Sequence, residues 1–318
     1  MINKEIPIFF TIDNNYAPFL AVAIRSAIKN SSPENKYKAI IVHNDVSEEN
    51  VKRITALATE NFAVEFVPMQ NRLETITDSM SNRLRCDYFT LSIYFRLFIP
   101  AMFPQYGKGI YIDSDVVLNG DVAELYNIDI GDNYIGACAD LSIVDVPPLV
   151  RYTEEAVGME KGKYINSGVL LMNMKKLREA RLDEHFLSLL NTYHFDCIAP
   201  DQDYLNAMCS GKIHYLDECW DAMPNDSRPP LEKPMLVHYN LFSKPWCYDG
   251  IQYGELFWEH AKESGYLDEI CEYKKNYSDE QKESDGKCMG LLASRGEKIC
   301  GDEVTFKKTF DSGVKVRL

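Results

Sequence analysis

What most restricts the fold of this 318-residue chain is an alternation near its beginning. Apolar runs at residues 6–12, 38–43 and 62–67 are separated by amphipathic stretches at 18–29 and 48–59. That order reads β-α-β-α-β, which predicts an α/β fold with a mostly parallel central sheet flanked by helices. Ligands of such sheets gather beyond the carboxyl ends of the strands, so chemistry is sought just after each strand. A further amphipathic segment, 90–98, leads through Pro100 and Pro104, both expected to break the chain, to a fourth apolar run at 109–112 that ends on Asp113. Later strands are expected at 134–139, 165–173 and 235–239, and helices at 183–193 and 202–208.

Charge narrows the ligands. With 34 basic and 48 acidic side chains the net charge is −14, and no basic patch offsets it, so nucleic acid is excluded as a partner. A phosphate-bearing ligand would need local cations, either side chains or a metal ion. The nine cysteines are scattered with no C-x-x-C pair, which offers no zinc or redox motif. The opening apolar run is too short for a signal peptide, and no stretch approaches the roughly 18 apolar residues of a membrane span. The expectation is a soluble, cytoplasmic protein.

Asp113 and Asp115 stand two apart at a strand end, where extended backbone would put both side chains on one face about 6.7 Å apart. Two such carboxylates suit a hard divalent cation that also neutralises diphosphate oxygens, although an isolated D-x-D equally describes a solvated turn. After the first strand, Asp13, Asn14, Asn15 and Tyr16 form a polar knot with carboxylate, amide and aromatic face suited to a base and ribose. Asp13 or Asn15 would serve as well as a helix cap. No G-x-G-x-x-G follows this strand, which leaves a dinucleotide fold of the usual kind unsupported. His238 ends a late apolar run, and Lys244-Pro245-Trp246 follows six residues on. A neutral imidazole suits Mn²⁺ better than Mg²⁺, and Lys244 can meet a phosphate as a point charge.

Five linked segments carry a family resemblance: residues 10–16, Tyr111-Ile112-Asp113-Ser114-Asp115, Tyr164-Ile165-Asn166-Ser167-Gly168, residues 201–206, and His238 through Trp246. Together they resemble family 8 of the retaining glycosyltransferases, above all bacterial lipopolysaccharide galactosyl- and glucosyltransferases. The resemblance covers roughly residues 5 to 260. It implies a single GT-A fold, a UDP-hexose donor, Mn²⁺ (or Mg²⁺), and a glycan or glycolipid acceptor. By that resemblance Asp113, Asp115 and His238 bind the metal, with Ser114 between them on the donor. Thr11, Asp13, Asn15 and Tyr16 hold uridine, Arg96, Asn166, Ser167 and Asp201 grip the donor sugar, and Lys244 takes the diphosphate. Gln202 lies beneath the anomeric carbon and Asp140 near the acceptor. One departure is Leu241, where many relatives carry glycine, which bears on the path of the 240–243 loop.

Two alternatives compete. A phosphohydrolase of the haloacid dehalogenase type also uses a strand-end D-x-D, though that motif normally opens its domain. A non-catalytic nucleotide-sugar-binding protein is the other. Residues 140–164 read as a lid or acceptor loop, or else as a surface helix over 149–157. The catalytic domain is expected to span residues 1–260, with a C-terminal extension over 261–318. Within it the wholly polar 278–287 reads as a flexible linker. The tail beyond it, with short strand-like runs at 304–306 and 314–316, offers at most a peripheral membrane contact at the inner face.

Overall fold

The computed structural model describes residues 5–69 and 91–318. Thr90 of the expected 90–98 segment, and Cys86, lie outside them. The chain opens with β1 (Ile6–Ile12), α1 (Ala17–Lys29), β2 (Tyr37–His43), α2 (Glu48–Thr55) and β3 (Phe62–Pro68), the alternation read from sequence. Then come α3 (Phe95–Met102), β4 (Gly109–Ile112), β5 (Val116–Leu118), α4 (Val122–Asn127) and β6 (Ile135–Ala137). α5 (Pro147–Tyr152) runs into a π-helical turn over Thr153–Val157. β7 (Val169–Met172), α6 (Met174–Glu179), α7 (Leu182–Tyr193), α8 (Pro200–Cys209), β8 (Ile213–Tyr215) and β9 (Leu236–His238) follow. The chain closes with α9 (Gly254–Ala261), α10 (Leu267–Asn276), α11 (Asp279–Gly301) and α12 (Phe306–Asp311).

Seven strands form the central sheet in the order β3-β2-β1-β4-β7-β6-β8. β7 is antiparallel to both its neighbours, and the other pairs are parallel. The mostly parallel sheet with flanking helices is the one the sequence predicts. β1 is buried along its whole length. Its side chains alternate between two cores, Ile8, Phe10 and Ile12 on one face and Phe9 on the other, as the period of two requires. The second sheet, β5 with β9, is a short antiparallel ribbon in which Val116 stands opposite His238.

Three expectations need correction. Pro100 does not break the chain but sits inside α3, at the cost of one backbone hydrogen bond, and its carbonyl accepts from Arg178 Nη1 at 3.0 Å. Residues 278–287 are not a flexible linker: they begin the 23-residue α11. Ser278 and Gln281 close a capping box there, with Gln281 N–H on Ser278 Oγ at 3.2 Å and Ser278 N–H on Gln281 Oε1 at 2.9 Å. The apolar stripe of α11, Cys288, Leu292, Gly296 and Ile299, begins only after that polar first part. The tail at 304–306 and 314–316 forms no strands: Thr305 caps α12, and Val316 is buried beside α7. Between 140 and 164 the chain is helical over 147–157, as the second reading had it, but not as a surface helix: Leu149 and Tyr152 are buried against α11. The boundary expected at residue 260 falls inside α9, which packs on α1.

Candidate active site

β4 delivers Asp113 and β9 delivers His238 to the same end of the molecule. The chain leaves β4 at Ile112, turns through Asp113-Ser114-Asp115 and enters β5, whose pairing with β9 sets Asp115 beside His238. Asp115 O accepts from Tyr239 N at 2.9 Å, and Gly168 O accepts from Asp113 N at 2.8 Å, so both aspartates are anchored through the backbone. One ligand atom from each of Asp113, Asp115 and His238 lies within 4.8 Å of the others. His238 Nε2 is 3.3 Å from Asp115 Oδ1 and 3.9 Å from Asp113 Oδ2.

Two carboxylates and an imidazole make a donor set that fits Mn²⁺ or a similar divalent ion. Gly168 keeps the corner open. A Cβ there would overlap His238 Cε1 and stand 2.8 Å from Asp113 Oδ2 and 3.0 Å from Asn166 Oδ1.

Charge at this corner is tightly paired. Lys244 Nζ donates to Asp115 Oδ2. Burial would raise the Asp115 carboxyl, but Lys244 and His238 hold it well below the usual carboxylate range. Burial would likewise lower the His238 imidazole, yet Asp115 and Asp221 outweigh it and raise it to about 10. Arg96, 6% exposed, reaches Asp113 Oδ1 at 2.9 Å and Asp201 Oδ2 at 3.1 Å. It also donates to Ser167 O at 2.7 Å and lies over the Tyr111 ring. Its burial is outweighed by those two carboxylates, which raise the guanidinium above its ordinary value.

A second network stands next to the first. Ser167 Oγ donates to Asp201 Oδ2 at 2.9 Å, and Gln202 Oε1 accepts from Ser167 N at 3.0 Å while Gln202 Nε2 donates to Asp140 Oδ2 at 2.8 Å. A backbone donor at one end and a carboxylate at the other leave the Gln202 amide one sensible orientation. Asn166 Nδ2 also reaches Asp140 Oδ2, at 3.4 Å, and Asp140 Oδ1 accepts from Ser142 N and Oγ. Arg96, Asn166, Ser167, Asp201, Gln202 and Asp140 are thus brought together, as the sequence predicts, by α3, the turn before β7, the first turn of α8 and the end of β6.

The polar knot after β1 is more divided. Thr11 Oγ1 lies 2.9 Å from Tyr111 Oη, which donates to Asp113 Oδ1 at 2.6 Å, so Thr11 is wired to the Asp113–Asp115–His238 corner. Asp13 Oδ1 accepts from Asn15 N at 2.9 Å and Tyr16 N at 3.3 Å, the capping role that stood as its alternative. Asn14 ties the knot to α2 through Ser47 N and Asn50 Nδ2. Asn15 is exposed and Tyr16 is 37% exposed, its ring edge-on to Phe19. Phe19 stacks on Trp246 at 4.3 Å, which carries the line of rings from Tyr16 to the Lys244 turn. Ser114 is buried within the D-S-D turn. Leu241 has φ 55°, so the bulky side chain keeps the left-handed backbone that favours glycine.

Three participants escape sequence reasoning. Tyr111 bridges Thr11 and Asp113, Gly168 makes room at the corner, and Asp221 Oδ1 accepts from His238 Nδ1 at 2.9 Å. Tyr111 and Gly168 lie inside quoted segments without an assigned role. Asp221 carries no local signal.

The profile of glycosyl transferase family 8 matches residues 7–250, from β1 to beyond the Lys244 turn. The chain belongs to that family. A Haemophilus influenzae protein named as a glycosyltransferase is 33% identical over 230 residues, 70% of this chain and 65% of its own length. This chain therefore spans a little under two thirds of that relative. The lipopolysaccharide 1,2-glucosyltransferase of Escherichia coli K12 is 28% identical over 299 residues, 84% of this chain and 83% of the relative. Among solved structures, galactosyltransferase LgtC in complex with donor and acceptor sugar analogues matches with a TM-score of 0.68 at 24% identity, over 81% of this chain and 96% of that one. The likeness establishes the GT-A fold. As a family 8 glycosyltransferase, the chain leaves no place for the phosphohydrolase alternative, and its D-S-D turn follows the fourth strand rather than opening the sheet.

Proposed function

We propose that this glycosyltransferase moves a hexose, glucose or galactose, from a UDP-sugar to a glycan or lipopolysaccharide-type acceptor with retention at the anomeric carbon. The observation that carries the reading is the convergence of Asp113, Asp115 and His238 on one point with Lys244 beside them. Asp113, Asp115 and His238 would hold the divalent ion, which when bound neutralises charge on the diphosphate. Lys244 stands close enough to that corner to stabilise the negative charge that develops on the departing UDP.

Thr11, Asp13, Asn15 and Tyr16 would take the uridine, Tyr16 by its exposed ring face. Arg96, Asn166, Ser167 and Asp201 form the buried polar wall suited to sugar hydroxyls, and Asp140 borders the acceptor side. The Gln202 amide, held at both ends by Ser167 and Asp140, supports a role in orientation rather than as nucleophile. We therefore favour front-side attack, in which the acceptor hydroxyl approaches on the face that UDP leaves. A cytoplasmic location, with peripheral contact between the C-terminal tail and the inner face of a membrane, accompanies this reading. Among the described residues no helix is long and apolar enough to cross a membrane.

The test is incubation with UDP-glucose or UDP-galactose and Mn²⁺. Slow release of UDP without acceptor, abolished by EDTA, is the expected result. Asp115→Asn should lose metal-dependent UDP binding, and near-normal affinity in that variant would sink the metal assignment. Metal-dependent UDP binding with no turnover on any donor would make the protein a binding module.

A further inference from the structure

Asp221 follows the short turn Glu218–Trp220, 17 residues before His238, and has no part in the reaction as set out above. We propose that Asp221 is the positioning residue for the metal corner, its carboxylate holding the Nδ1 side of His238 so that Nε2 alone faces Asp113 and Asp115. The proposal rests on the metal reading of that corner.

The geometry divides the imidazole cleanly. Nδ1 is 2.9 Å from Asp221 Oδ1, whereas Nε2 is directed at the two aspartates of the D-S-D turn. A metal ligand must be a neutral imidazole with a lone pair on the ligating nitrogen and its one proton on the other. An ionised carboxylate is acceptor-only, so at Nδ1 it selects the Nδ1–H form and leaves the Nε2 lone pair for the ion. It also makes that nitrogen a stronger donor.

Structural anchoring does not account for a carboxylate here, because the backbone already fixes the strand. His238 N donates to Ala222 O at 2.9 Å, Ala222 N to Leu236 O at 2.9 Å, and Val116 pairs with His238 across the ribbon. Asp221 is 1% exposed, and its Oδ2 has no hydrogen-bond partner among the described residues. A buried carboxylate with one oxygen unsatisfied is a costly way to pin a loop, and an apolar or amide side chain would do so with less desolvation. What the charge adds is the orientation and basicity of His238.

The experiment compares the full chain with Asp221→Asn and Asp221→Ala. Mn²⁺ binding is measured by calorimetry without nucleotide. In ¹¹³Cd²⁺-loaded, ¹⁵N-histidine-labelled protein, cadmium–nitrogen coupling identifies the ligating nitrogen. Wild type should couple through Nε2 with Nδ1 protonated. Both variants should bind Mn²⁺ about 10- to 100-fold more weakly, and Asp221→Ala should lose the single defined Nε2 coupling. Circular dichroism separates this from unfolding, and if Asp221→Ala fails to fold, the isosteric Asp221→Asn decides. A Mn²⁺ affinity within about twofold of wild type in folded Asp221→Asn would overturn the assignment. If wild type itself binds no Mn²⁺, the underlying metal reading fails and the positioning role falls with it, a result distinct from metal binding that is indifferent to Asp221.

Discussion

Asp115 serves two cations at once, with Lys244 on Oδ2 and His238 Nε2 at 3.3 Å from Oδ1. A divalent ion at this corner would compete with the ammonium for the same carboxylate, and a diphosphate would offer the displaced Lys244 a new partner. Lys244→Met should therefore have opposite effects on two equilibria. Mn²⁺ binding without nucleotide should tighten, while UDP binding in the presence of Mn²⁺ should weaken by about 10- to 100-fold, the worth of a charge-assisted hydrogen bond. Calorimetry with each ligand separately checks this, and weakening of both would show that Lys244 only props the corner. The His238 imidazole gives a pH signature of the same pairing. Raised to about 10 from an unfolded value of about 6.5, it contributes stability that is complete below the lower value and lost as pH climbs through the higher. In EDTA-treated protein the melting temperature of wild type should fall relative to His238→Gln between about pH 7 and 10. A constant difference over that window would mean the imidazole is not charged between its carboxylates.

At the scale of elements, the site depends on short pieces that hold one another in register. A one-residue slip of β9 against β5 would turn His238 to the opposite face of the ribbon. What resists a slip is the anchoring beyond the strand, where Trp246 is buried on Phe19 and against Phe257 at 4.7 Å. Trp246→Ala should cost about 3–5 kcal/mol of stability by urea denaturation, and the surviving folded protein should bind UDP poorly because Lys244 has lost its support. Normal UDP affinity in that variant would separate the ring stack from the phosphate loop. β1 and β4 were legible in sequence because each is a nearly continuous apolar run ending on polar residues, and β2 and β3 because they are mainly apolar segments, broken only by Lys38 and Glu65, that alternate with amphipathic ones. β5 and β8 have three residues each, too few for a period to show; β9 lies within the strand expected at 235–239, but only the paired motifs suggested that it ends beside the D-S-D turn. Within the site, the residues singled out by the family resemblance, Asp113, Asp115 and His238 on one side and Arg96 and Asp201 on the other, lie close together in the structure. Asp221 was illegible because its meaning lies in a hydrogen bond to a residue on another element. α11 was missed for a different reason: a stripe containing Cys288 and Gly296 carries little hydrophobic signal. The small residue lets the helix pack closely there, since a Cβ on Gly296 would stand 3.0 Å from Ile198 Cδ1 and 3.2 Å from Tyr152 Cβ.

For the whole molecule, the consequence is that the C-terminal tail is built into the catalytic core. Leu292, Ile299, Phe306 and Val316 belong to the same buried cluster as Tyr152, Ile198 and Tyr204. The Phe306 ring lies 4.1 Å from Phe195 and 4.8 Å from Tyr204, and Leu318 N donates to Met208 O at 2.9 Å, so the tail braces α8 along its length. The first turn of α8 carries Asp201 and Gln202, and Asp203 in the same turn accepts from Tyr152 Oη at 2.8 Å and Tyr164 Oη at 2.6 Å. Both tyrosines lie within the segment between Asp140 and Asn166. Removing residues 278–318 would therefore uncover Leu149, Ile198 and Tyr204 and loosen the network of Arg96, Ser167, Asp201, Gln202 and Asp140. Burying one large apolar side chain contributes roughly 1.5–3 kcal/mol, and a domain is held by only about 5–15 kcal/mol in all. The loss of four such anchors should leave a truncated protein that is largely unfolded or aggregated at 25 °C. A peripheral module added to a self-sufficient catalytic unit makes the opposite forecast: a chain ending at Tyr277 that melts near the full-length temperature and still releases UDP. Thermal melts and size-exclusion profiles of the two chains, read before any membrane-binding comparison, decide between them.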